Sequence, residues 1–391
     1  MTRKITRREF LATAGTGLAG IIAADTLFAG VRLPGDPAIA RLFVGTYTSG
    51  KSEGIYRCRF DTASGELHVE SATGGVTNPS FIALDRNRSR LFCVNETAEF
   101  DGKPGGSVSA FAVDPETGDL HFLNSRSTHG AGPCYLTIDA AGRYVLAANY
   151  TGGSLAVLPV GNDGSLGEAT DFVQHRGSSV TPRQQGPHAH SIVLDASGRF
   201  AYAADLGLDR VMIYRFDHRA GKLLPSTPPW AALKAGAGPR HIALSPDGSA
   251  AYVADELDST LTVFSVDRST GGLEHRQTLS TLPSGFAGEN LPADVHVDRS
   301  GRFVYVSNRG HDSIAVFAVD ATKGVLSPVQ HAPTGGKWPR NFTIDPAGGY
   351  LLVANQRSDT ITVFAVHPES GTLSPKGQAT EIPSPVCMKF G

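Results

Sequence analysis

The sequence predicts an all-β fold, a seven-bladed β-propeller built from four-stranded blades. Two markers recur seven times each, independently of one another. A proline opens an apolar segment at Pro79, Pro133, Pro187, Pro239, Pro292, Pro339 and Pro385. A Gly-x-Leu turn recurs at Gly65, Gly118, Gly164, Gly221, Gly271, Gly324 and Gly371. Both markers step by about 46 to 57 residues, which is close to the length of one blade. Side chains from different blades are therefore expected to converge on a central axis.

One repeat illustrates the four strands of a blade. Residues 241–244 are an apolar run that suits a strand buried near the axis, and a Ser-Pro-Asp-Gly turn follows them. Residues 250–255 form a second apolar run, and residues 260–266 alternate with the period of two that is typical of a half-buried strand. After Gly271 the segment is more polar, as expected of the outermost strand, whose edge faces water.

The two ends of the chain complete each other. Residues 385–390 predict an inner strand that no further strand follows, whereas residues 40–67 hold three strands without a proline strand before them. We therefore predict that the C-terminal strand joins the N-terminal three, which closes the ring without an open edge.

The N-terminus predicts an export signal rather than part of the fold. Thr6-Arg7-Arg8-Glu9-Phe10-Leu11-Ala12 precedes a small apolar run at residues 13–24, a pattern that resembles a twin-arginine signal. An uncleaved membrane anchor is the alternative, but the run falls short of the roughly 20 residues that span a bilayer. We expect a signal peptide at 1–29, a linker at 30–39 and the propeller at 40–391. The mature protein is then periplasmic or secreted, without stable membrane association.

The amino-acid composition limits the kinds of partner and cofactor that the protein is expected to bind. With 35 Lys and Arg against 37 Asp and Glu, the net charge is -2, so no nucleic-acid partner is expected. The four cysteines lie in predicted strands of different repeats without a Cys-x-x-Cys spacing, so zinc and redox motifs are not indicated and buried free thiols are expected. We predict a monomer that uses no cofactor.

Polar residues gather at one rim of the predicted ring. The first two strands of a blade form an antiparallel hairpin, so the start of the first and the end of the second lie on the same side. First-strand starts supply His188, His190, Arg240, His241, His296, Arg340 and Asn341. Second-strand ends supply Tyr47, Asn95, Glu96, Asn149, Tyr150, Asp205, Asp255, Glu256, Asn308, Arg309, Asn355 and Gln356. Such convergence is expected of a ligand site.

Each of these residues also has a structural explanation. Asn and Asp are ordinary turn formers at strand ends, and His241 and His296 fit core histidines. Arginines near a narrow axis are harder to explain structurally, because a buried charge is costly unless it is paired or solvated. The histidines could cluster around a metal, but none has the spacing of a defined ligand set, so no metal site is predicted.

Five segments at the predicted rim form distinctive motifs: His188-Ala-His190-Ser, Gly238-Pro-Arg240-His241, Asp255-Glu256-Leu257, Ser307-Asn308-Arg309 and Trp338-Pro-Arg340. In order and spacing they resemble the lactonase family of seven-bladed propellers, which includes the propeller-type 6-phosphogluconolactonase and is related to the fungal carboxymuconate lactonizing enzyme. The resemblance covers residues 40–391. It implies a catalytic set of one histidine, two arginines and one glutamate, which falls on His190, Arg240, Glu256 and Arg309. One departure is Ala293-Asp294, where many exported-type members of the family have Ala-Glu.

The resemblance implies hydrolysis of a sugar lactone, either an aldonolactone or 6-phosphogluconolactone. Arg240 and Arg309 would supply fixed positive charge near the developing oxyanion, and His190 would accept the proton of water. Glu256 would orient the histidine, pair with an arginine or act as the base. The residues expected to bind the substrate are His188, His241, Asn149, Asp205, His296, Asn308, Arg340 and Gln356. A muconate cycloisomerase and a non-catalytic exported binding propeller are the alternatives.

Overall fold

In the computed structural model, residues 39–391 are described, and they form seven four-stranded antiparallel sheets around an axis. The predicted signal peptide and all but the last residue of the predicted linker lie outside the described residues. The first strand begins at Ile39, one residue before the predicted start of the propeller. The fold is the predicted seven-bladed propeller.

The strands of each blade are given from the axis outward. Blade 1 consists of Pro385–Phe390, Ile39–Thr46, Ile55–Asp61 and Leu67–Thr73. Blade 2 consists of Ile82–Leu84, Arg90–Asn95, Ser107–Val113 and Leu120–Ser127, with a small hairpin of Glu99–Phe100 and Lys103–Pro104 between its second and third strands. Blade 3 consists of Pro133–Ile138, Tyr144–Asn149, Ser154–Pro159 and Asp171–Gln174. Blade 4 consists of Ala189–Leu194, Phe200–Asp205, Arg210–Asp217 and Lys222–Ala232.

The remaining blades follow the same plan. Blade 5 consists of Pro239–Leu244, Ala250–Asp255, Thr260–Val266 and Leu273–Ser280. Blade 6 consists of Leu291–Val297, Phe303–Arg309, Ser313–Asp320 and Val325–Pro333. Blade 7 consists of Pro339–Ile344, Tyr350–Asn355, Thr360–Val366 and Leu373–Glu381. The helical segments among residues 39–391 are two 3₁₀ turns, Pro182–Gln184 and Gln356–Ser358. None of the described helices is long and apolar enough to cross a membrane.

The Gly-x-Leu marker has a steric origin. All seven marker glycines have a positive φ, between 63° and 90°, a conformation that side chains with a Cβ rarely adopt. At Gly271 an added Cβ would also lie 2.4 Å from the Cδ1 atom of Phe200 in the preceding blade. The turn therefore needs glycine both for its backbone and for the close packing of neighbouring blades.

The C-terminal strand closes the ring as predicted. Its residues pair antiparallel with the first strand, from Pro385 opposite Thr46 to Phe390 opposite Leu42. Cys387 is fully buried and Met388 is 1% exposed. The backbone N–H of Met388 also donates to the side-chain oxygen of Asn341 in blade 7, at 2.8 Å. The strand thus links the first blade to the last.

Candidate functional site

A β-bulge at the start of the inner strand places one side chain per blade next to the axis. In blades 3, 4, 5 and 7 the pairing register with the second strand shifts across a single residue. The residues left unpaired at the shift are Cys134, His190, Arg240 and Arg340. A bulge bends the strand and re-aims the side chain of the extra residue. The same backbone irregularity therefore presents a thiol, an imidazole and two guanidinium groups.

A second position, used in five of the blades, completes the site. In blades 1, 2, 3 and 5 this residue directly follows the second strand, and in blade 6 it is the last residue of that strand. It lies across the hairpin from the start of the inner strand. Blades 1, 2, 3, 5 and 6 place there Tyr47, Glu96, Tyr150, Glu256 and Arg309. The predicted rim therefore exists, and it is built from two equivalent positions repeated around the axis.

These side chains surround a cavity of about 140 Å³. Its lining residues are Glu96, Cys134, Tyr150, Arg183, His190, Glu256, Arg309 and Arg340. Arg240 lies directly behind the wall, in contact with Glu256. The four residues predicted to be catalytic are therefore brought together at this cavity.

Glu256 is held by three guanidinium groups. Its Oε2 atom lies 2.8 Å from Nη2 of Arg309 and 3.0 Å from Nε of Arg240. Its Oε1 atom accepts a hydrogen bond of 2.7 Å from Nη1 of Arg183. Both carboxylate oxygens are thus engaged in charged contacts, and Glu256 itself is only 3% exposed.

The charges of this cluster depend on one another. Burial raises the pKa of Glu256, but the three neighbouring guanidinium groups outweigh burial and lower it to about 2. Burial lowers the pKa of Arg309 to about 9, although the negative charge of Glu256 acts to raise it. All members are therefore charged at neutral pH, and the carboxylate is a weak base there.

His190 is the group suited to accept a proton. Burial, followed by the positive charge of Arg240, lowers its pKa well below the usual value, so the ring is neutral at pH 7. Its Nδ1 atom lies 3.6 Å from the Sγ atom of Cys134. Its Nε2 atom has no hydrogen-bond partner among residues 39–391, which leaves that nitrogen for a ligand in the cavity that His190 lines.

Arg340 belongs to a second charged assembly on the opposite wall. Its Nη2 atom donates to the hydroxyl of Tyr47 at 2.9 Å, and that hydroxyl donates to Oε2 of Glu96 at 2.8 Å. Burial acts to lower the pKa of Arg340, but Tyr47 and the carboxylates of Glu96 and Glu256 outweigh it and raise the pKa. In total four guanidinium groups meet two carboxylates around the cavity, an excess of positive charge that favours an anionic or oxyanionic group.

A buried layer beneath the site fixes Arg240. Its Nη1 atom lies 3.1 Å from Nε2 of His241, and because a guanidinium has no acceptor, that nitrogen must accept. Nδ1 of His241 then donates to Oδ1 of Asp294 at 2.8 Å. Oδ2 of Asp294 accepts from Nε2 of His296 at 3.0 Å and from Asn341 at 2.5 Å. Asp294 is therefore the anchor of this layer.

Other residues predicted to bind substrate lie outside the cavity wall. His188 stacks on Tyr150 with ring centroids 4.6 Å apart. His241 and His296 flank Asp294 in the buried layer. Gln356 belongs to a 3₁₀ turn, and its backbone N–H donates to the carbonyl of Trp338.

The predicted Asn149, Asp205 and Asn308 are fully buried at or next to the ends of the second strands. Asp205, for example, accepts from the backbone N–H groups of His188, Gly207 and Leu208. The side-chain amides of Asn149 and Asn308 donate to the carbonyl groups of Thr128 and Thr281, as expected of structural residues at strand ends. Of the eight residues predicted to bind substrate, Arg340 lines the cavity.

Two lining residues were missed by the sequence analysis. Cys134 directly follows Pro133, the position that Arg240 and Arg340 occupy after their prolines, so that equivalence could have identified it. Arg183 comes from the long connection between blades 3 and 4, which lies outside the repeat, and no spacing signal points to it. Among residues 39–391 no group of three or more His, Cys, Asp or Glu side chains is arranged to hold a metal ion.

Comparison with known proteins identifies the family. The 6-phosphogluconolactonase of Bacillus subtilis is 36% identical over 296 residues, which cover 76% of this chain and 82% of the relative. The structure of the periplasmic gluconolactonase of Pseudomonas aeruginosa superimposes with a TM-score of 0.85 at 37% identity, covering 90% of this chain and 99% of that one. Residues 41–390 match the family model described as Lactonase, 7-bladed beta-propeller. The chain therefore belongs to the lactonase family of seven-bladed β-propellers.

Proposed function

We propose that this chain hydrolyses the ester bond of a sugar lactone and releases the corresponding hydroxy acid. One observation carries the proposal: a neutral histidine with an unpartnered ring nitrogen shares a cavity with a carboxylate bound by three arginines. Membership of the lactonase family supports the reaction class. The site thus combines an available base with fixed positive charge.

The reaction follows from these roles. Water attacks the carbonyl carbon of the lactone while Nε2 of His190 accepts its proton. The carbonyl oxygen becomes an oxyanion, which the guanidinium groups on the wall stabilise. When the intermediate collapses, the bond to the ring oxygen breaks and that oxygen takes the proton from His190. The product is an open-chain acid with a free hydroxyl group, and one water has been consumed.

Glu256 is assigned a positioning role in this proposal. Its pKa of about 2 makes it a weak base at neutral pH, and its oxygens are already engaged by Arg183, Arg240 and Arg309. A carboxylate in this position holds the guanidinium groups in place and compensates part of their charge.

For the substrate we propose an unphosphorylated aldonolactone such as gluconolactone. Sugar phosphates are made in the cytoplasm, and the twin-arginine pattern around Arg7 and Arg8 implies that this protein leaves it. The similarity to a periplasmic gluconolactonase supports this choice, although another relative carries the name 6-phosphogluconolactonase. The cavity of about 140 Å³ also suits a small sugar ring.

Comparing kcat/KM for gluconolactone and for 6-phosphogluconolactone tests both parts of the proposal. Lactones hydrolyse spontaneously, so the rate without enzyme is subtracted, and Arg309→Ala protein is assayed in parallel as the control for the site. We expect catalysis with a preference for the unphosphorylated lactone. A strong preference for the phosphorylated lactone would overturn the substrate assignment alone, whereas no catalysis with any lactone would overturn the activity.

We further propose export to the periplasm or the medium, as a monomer, by the twin-arginine route. Replacing both Arg7 and Arg8 by lysine keeps the positive charge of the N-terminus but removes the paired arginines. Export should then stop, which fractionation of cells followed by immunoblotting measures. Unchanged periplasmic yield would contradict the route.

A further inference from the structure

The channel of the propeller contains a second cavity, of about 250 Å³. It lies further along the same inner strands as the site cavity, since Tyr135 follows Cys134 and Ile242 lies two residues beyond Arg240. No residue lines both cavities. The buried layer around Asp294 separates them, so a molecule in one cavity does not occupy the other.

Seven of the ten residues that line this second cavity have apolar or aromatic side chains, although polar atoms make up most of the surface exposed to it. Phe81 and Tyr135 contribute two aromatic rings with centroids 4.0 Å apart, tilted by 30° to one another. Ile242, Leu244 and the valines of blade 6 supply aliphatic surface. Mostly apolar lining residues with a small number of polar groups among them are the usual composition of a binding pocket for a small organic molecule.

Three polar atoms at this cavity have no protein partner among the described residues. They are the hydroxyl of Tyr135, the Nδ1 atom of His296 and the ammonium group of Lys389. Nε2 of His296 is used by Asp294, so Nδ1 is the nitrogen that remains. Lys389 forms no ion pair within residues 39–391, and its Nζ atom lies 5.1 Å from the centre of the Phe81 ring.

The carboxylate at this cavity does not compensate Lys389. Asp294 is the one acidic residue among the described residues that line the cavity. Its Oδ1 accepts from His241 and from the N–H of Val295, and its Oδ2 accepts from His296 and Asn341. With both oxygens occupied, Asp294 is committed to the buried layer, and the charge of Lys389 remains available to a ligand.

We propose that this second cavity is a binding site for a small organic carboxylate with an aromatic or otherwise apolar body. Lys389 pairs with the carboxylate, and the hydroxyl of Tyr135 and Nδ1 of His296 bind polar groups of the ligand. The body packs between the ring of Phe81 and the aliphatic wall. The volume suits a ligand below the size of a typical drug molecule, for which pockets exceed about 300 Å³.

Calorimetric titration of the full-length protein with benzoate tests the site, with benzyl alcohol as a neutral ligand of similar shape. We expect benzoate to bind and benzyl alcohol to bind at least tenfold more weakly. Lys389→Gln keeps most of the side chain and removes the charge, so it should weaken benzoate binding about tenfold or more, the loss expected for one charge-assisted hydrogen bond. Arg86→Gln is the matched control, because Arg86 borders the neighbouring surface cavity but not this one.

Thermal unfolding of the Lys389→Gln and Arg86→Gln proteins shows whether either substitution changes the stability of the fold. A second variant, Tyr135→Phe, removes the hydroxyl while the ring remains, and it should weaken benzoate binding without destabilising the fold. The proposal is overturned if benzoate does not bind the wild type. It is also overturned if benzyl alcohol binds equally well, or if Lys389→Gln and Arg86→Gln bind benzoate as the wild type does, since the ligand then lies elsewhere.

Discussion

At the scale of single residues, Glu256 organises the site more than any other group. It is one of two carboxylates that face four guanidinium groups, and it contacts three of them directly. Removing one partner of a buried ion pair leaves the others uncompensated, at a cost of about 3–5 kcal/mol. Substitutions here therefore affect both stability and chemistry, and each variant must be compared at equal folded fraction.

The two buried arginines should be needed for the chemical step. We expect Arg309→Ala to lower kcat by about 10² or more, the scale of losing one oxyanion donor. Arg240→Ala should cost a similar factor, because Arg240 holds Glu256 in place from behind the cavity wall. Steady-state kinetics with gluconolactone measures the loss. Arg276→Ala, on the outer strand of blade 5, is the matched control and should leave kcat unchanged. Folded arginine variants with intact hydrolysis would place the reaction elsewhere and favour a non-catalytic binding role for this cavity.

The pH profile should separate His190 from Glu256. His190→Ala should cost about 10² to 10⁴ in kcat, as for a general base, whereas Glu256→Gln should cost less if it only positions the arginines. Because burial lowers the pKa of His190, its neutral form persists in mild acid. The acid limb of kcat should thus lie below pH 6.5, the ordinary histidine value, and disappear in His190→Ala. Loss of that limb in Glu256→Gln, with an equal or larger rate loss, would make Glu256 the base.

At the scale of elements, the bulged inner strand explains which site residues a sequence reveals. Arg240 and Arg340 each follow the proline that opens an inner strand, so the repeat itself locates them. Asp205 and Asn308 lie at or next to the ends of second strands, but their side chains bond to nearby backbone groups and do not line the cavity. Arg309, the residue after Asn308, does line it. A register difference of one residue cannot be read from composition.

The connection between blades 3 and 4 contributes a site residue that the sequence repeat could not reveal. Arg183 reaches Glu256 from a 3₁₀ turn that side-chain contacts help to hold, such as the hydrogen bond from Nε2 of Gln184 to Oδ1 of Asp209 at 2.7 Å. Such a connection has no counterpart in the other blades that would predict its path. Its contribution to the site follows from tertiary structure alone.

The C-terminal strand is the element on which closure depends. Deleting residues 384–391 removes the buried side chains of Val386, Cys387 and Met388, each worth about 1.5–3 kcal/mol, together with the pairing to the first strand. This loss is comparable with the whole stability of a domain, about 5–15 kcal/mol, so the truncated protein should not fold cooperatively. Chemical denaturation followed by circular dichroism measures it.

Removal of Gly391 alone is the control for that truncation. It leaves all six residues of Pro385–Phe390 in place, and unfolding should remain cooperative. A longer truncation that stays soluble and unfolds in one sharp transition would contradict closure by this strand.

At the scale of the whole molecule, two recurring markers were enough to predict the number of blades and the way the ring closes. Both markers reflect local backbone requirements, namely a proline at the start of an inner strand and a positive φ at a tight turn. They can therefore be recognised in the sequence. The separation of the channel into two cavities was not predictable. It depends on the contacts of Asp294 with residues of blades 5, 6 and 7, which no spacing encodes.

The buried layer should make the whole fold sensitive to acid. Burial, with the charge of Arg240, lowers the pKa of His241 to about 3. Between pH 6.5 and 3, His241 is therefore protonated in the unfolded chain but neutral in the folded chain. The free energy of unfolding falls by about 1.4 kcal/mol for each pH unit as the pH decreases through that window. Urea unfolding at pH 7, 6 and 5 measures the slope, and His241→Asn should reduce it.

An exposed histidine provides the comparison for that slope. His121 lies on the outer strand of blade 2, and His121→Asn should leave the pH dependence of the free energy of unfolding unchanged. Equal slopes for the wild type and His241→Asn would show that other groups determine the acid sensitivity.

The C-terminal strand also determines when the folding of the propeller can be completed. Ile39–Thr46 emerges early, but its partner Pro385–Phe390 is synthesised only after the strands of all the other blades. At about 5–20 residues per second, the roughly 340 residues between them take on the order of 20–70 s to produce. For that time the first strand presents an unpaired edge, the kind of surface that recruits other strands. Blade 1 is thus begun first and completed last, and the speed of translation sets how long the nascent chain remains vulnerable.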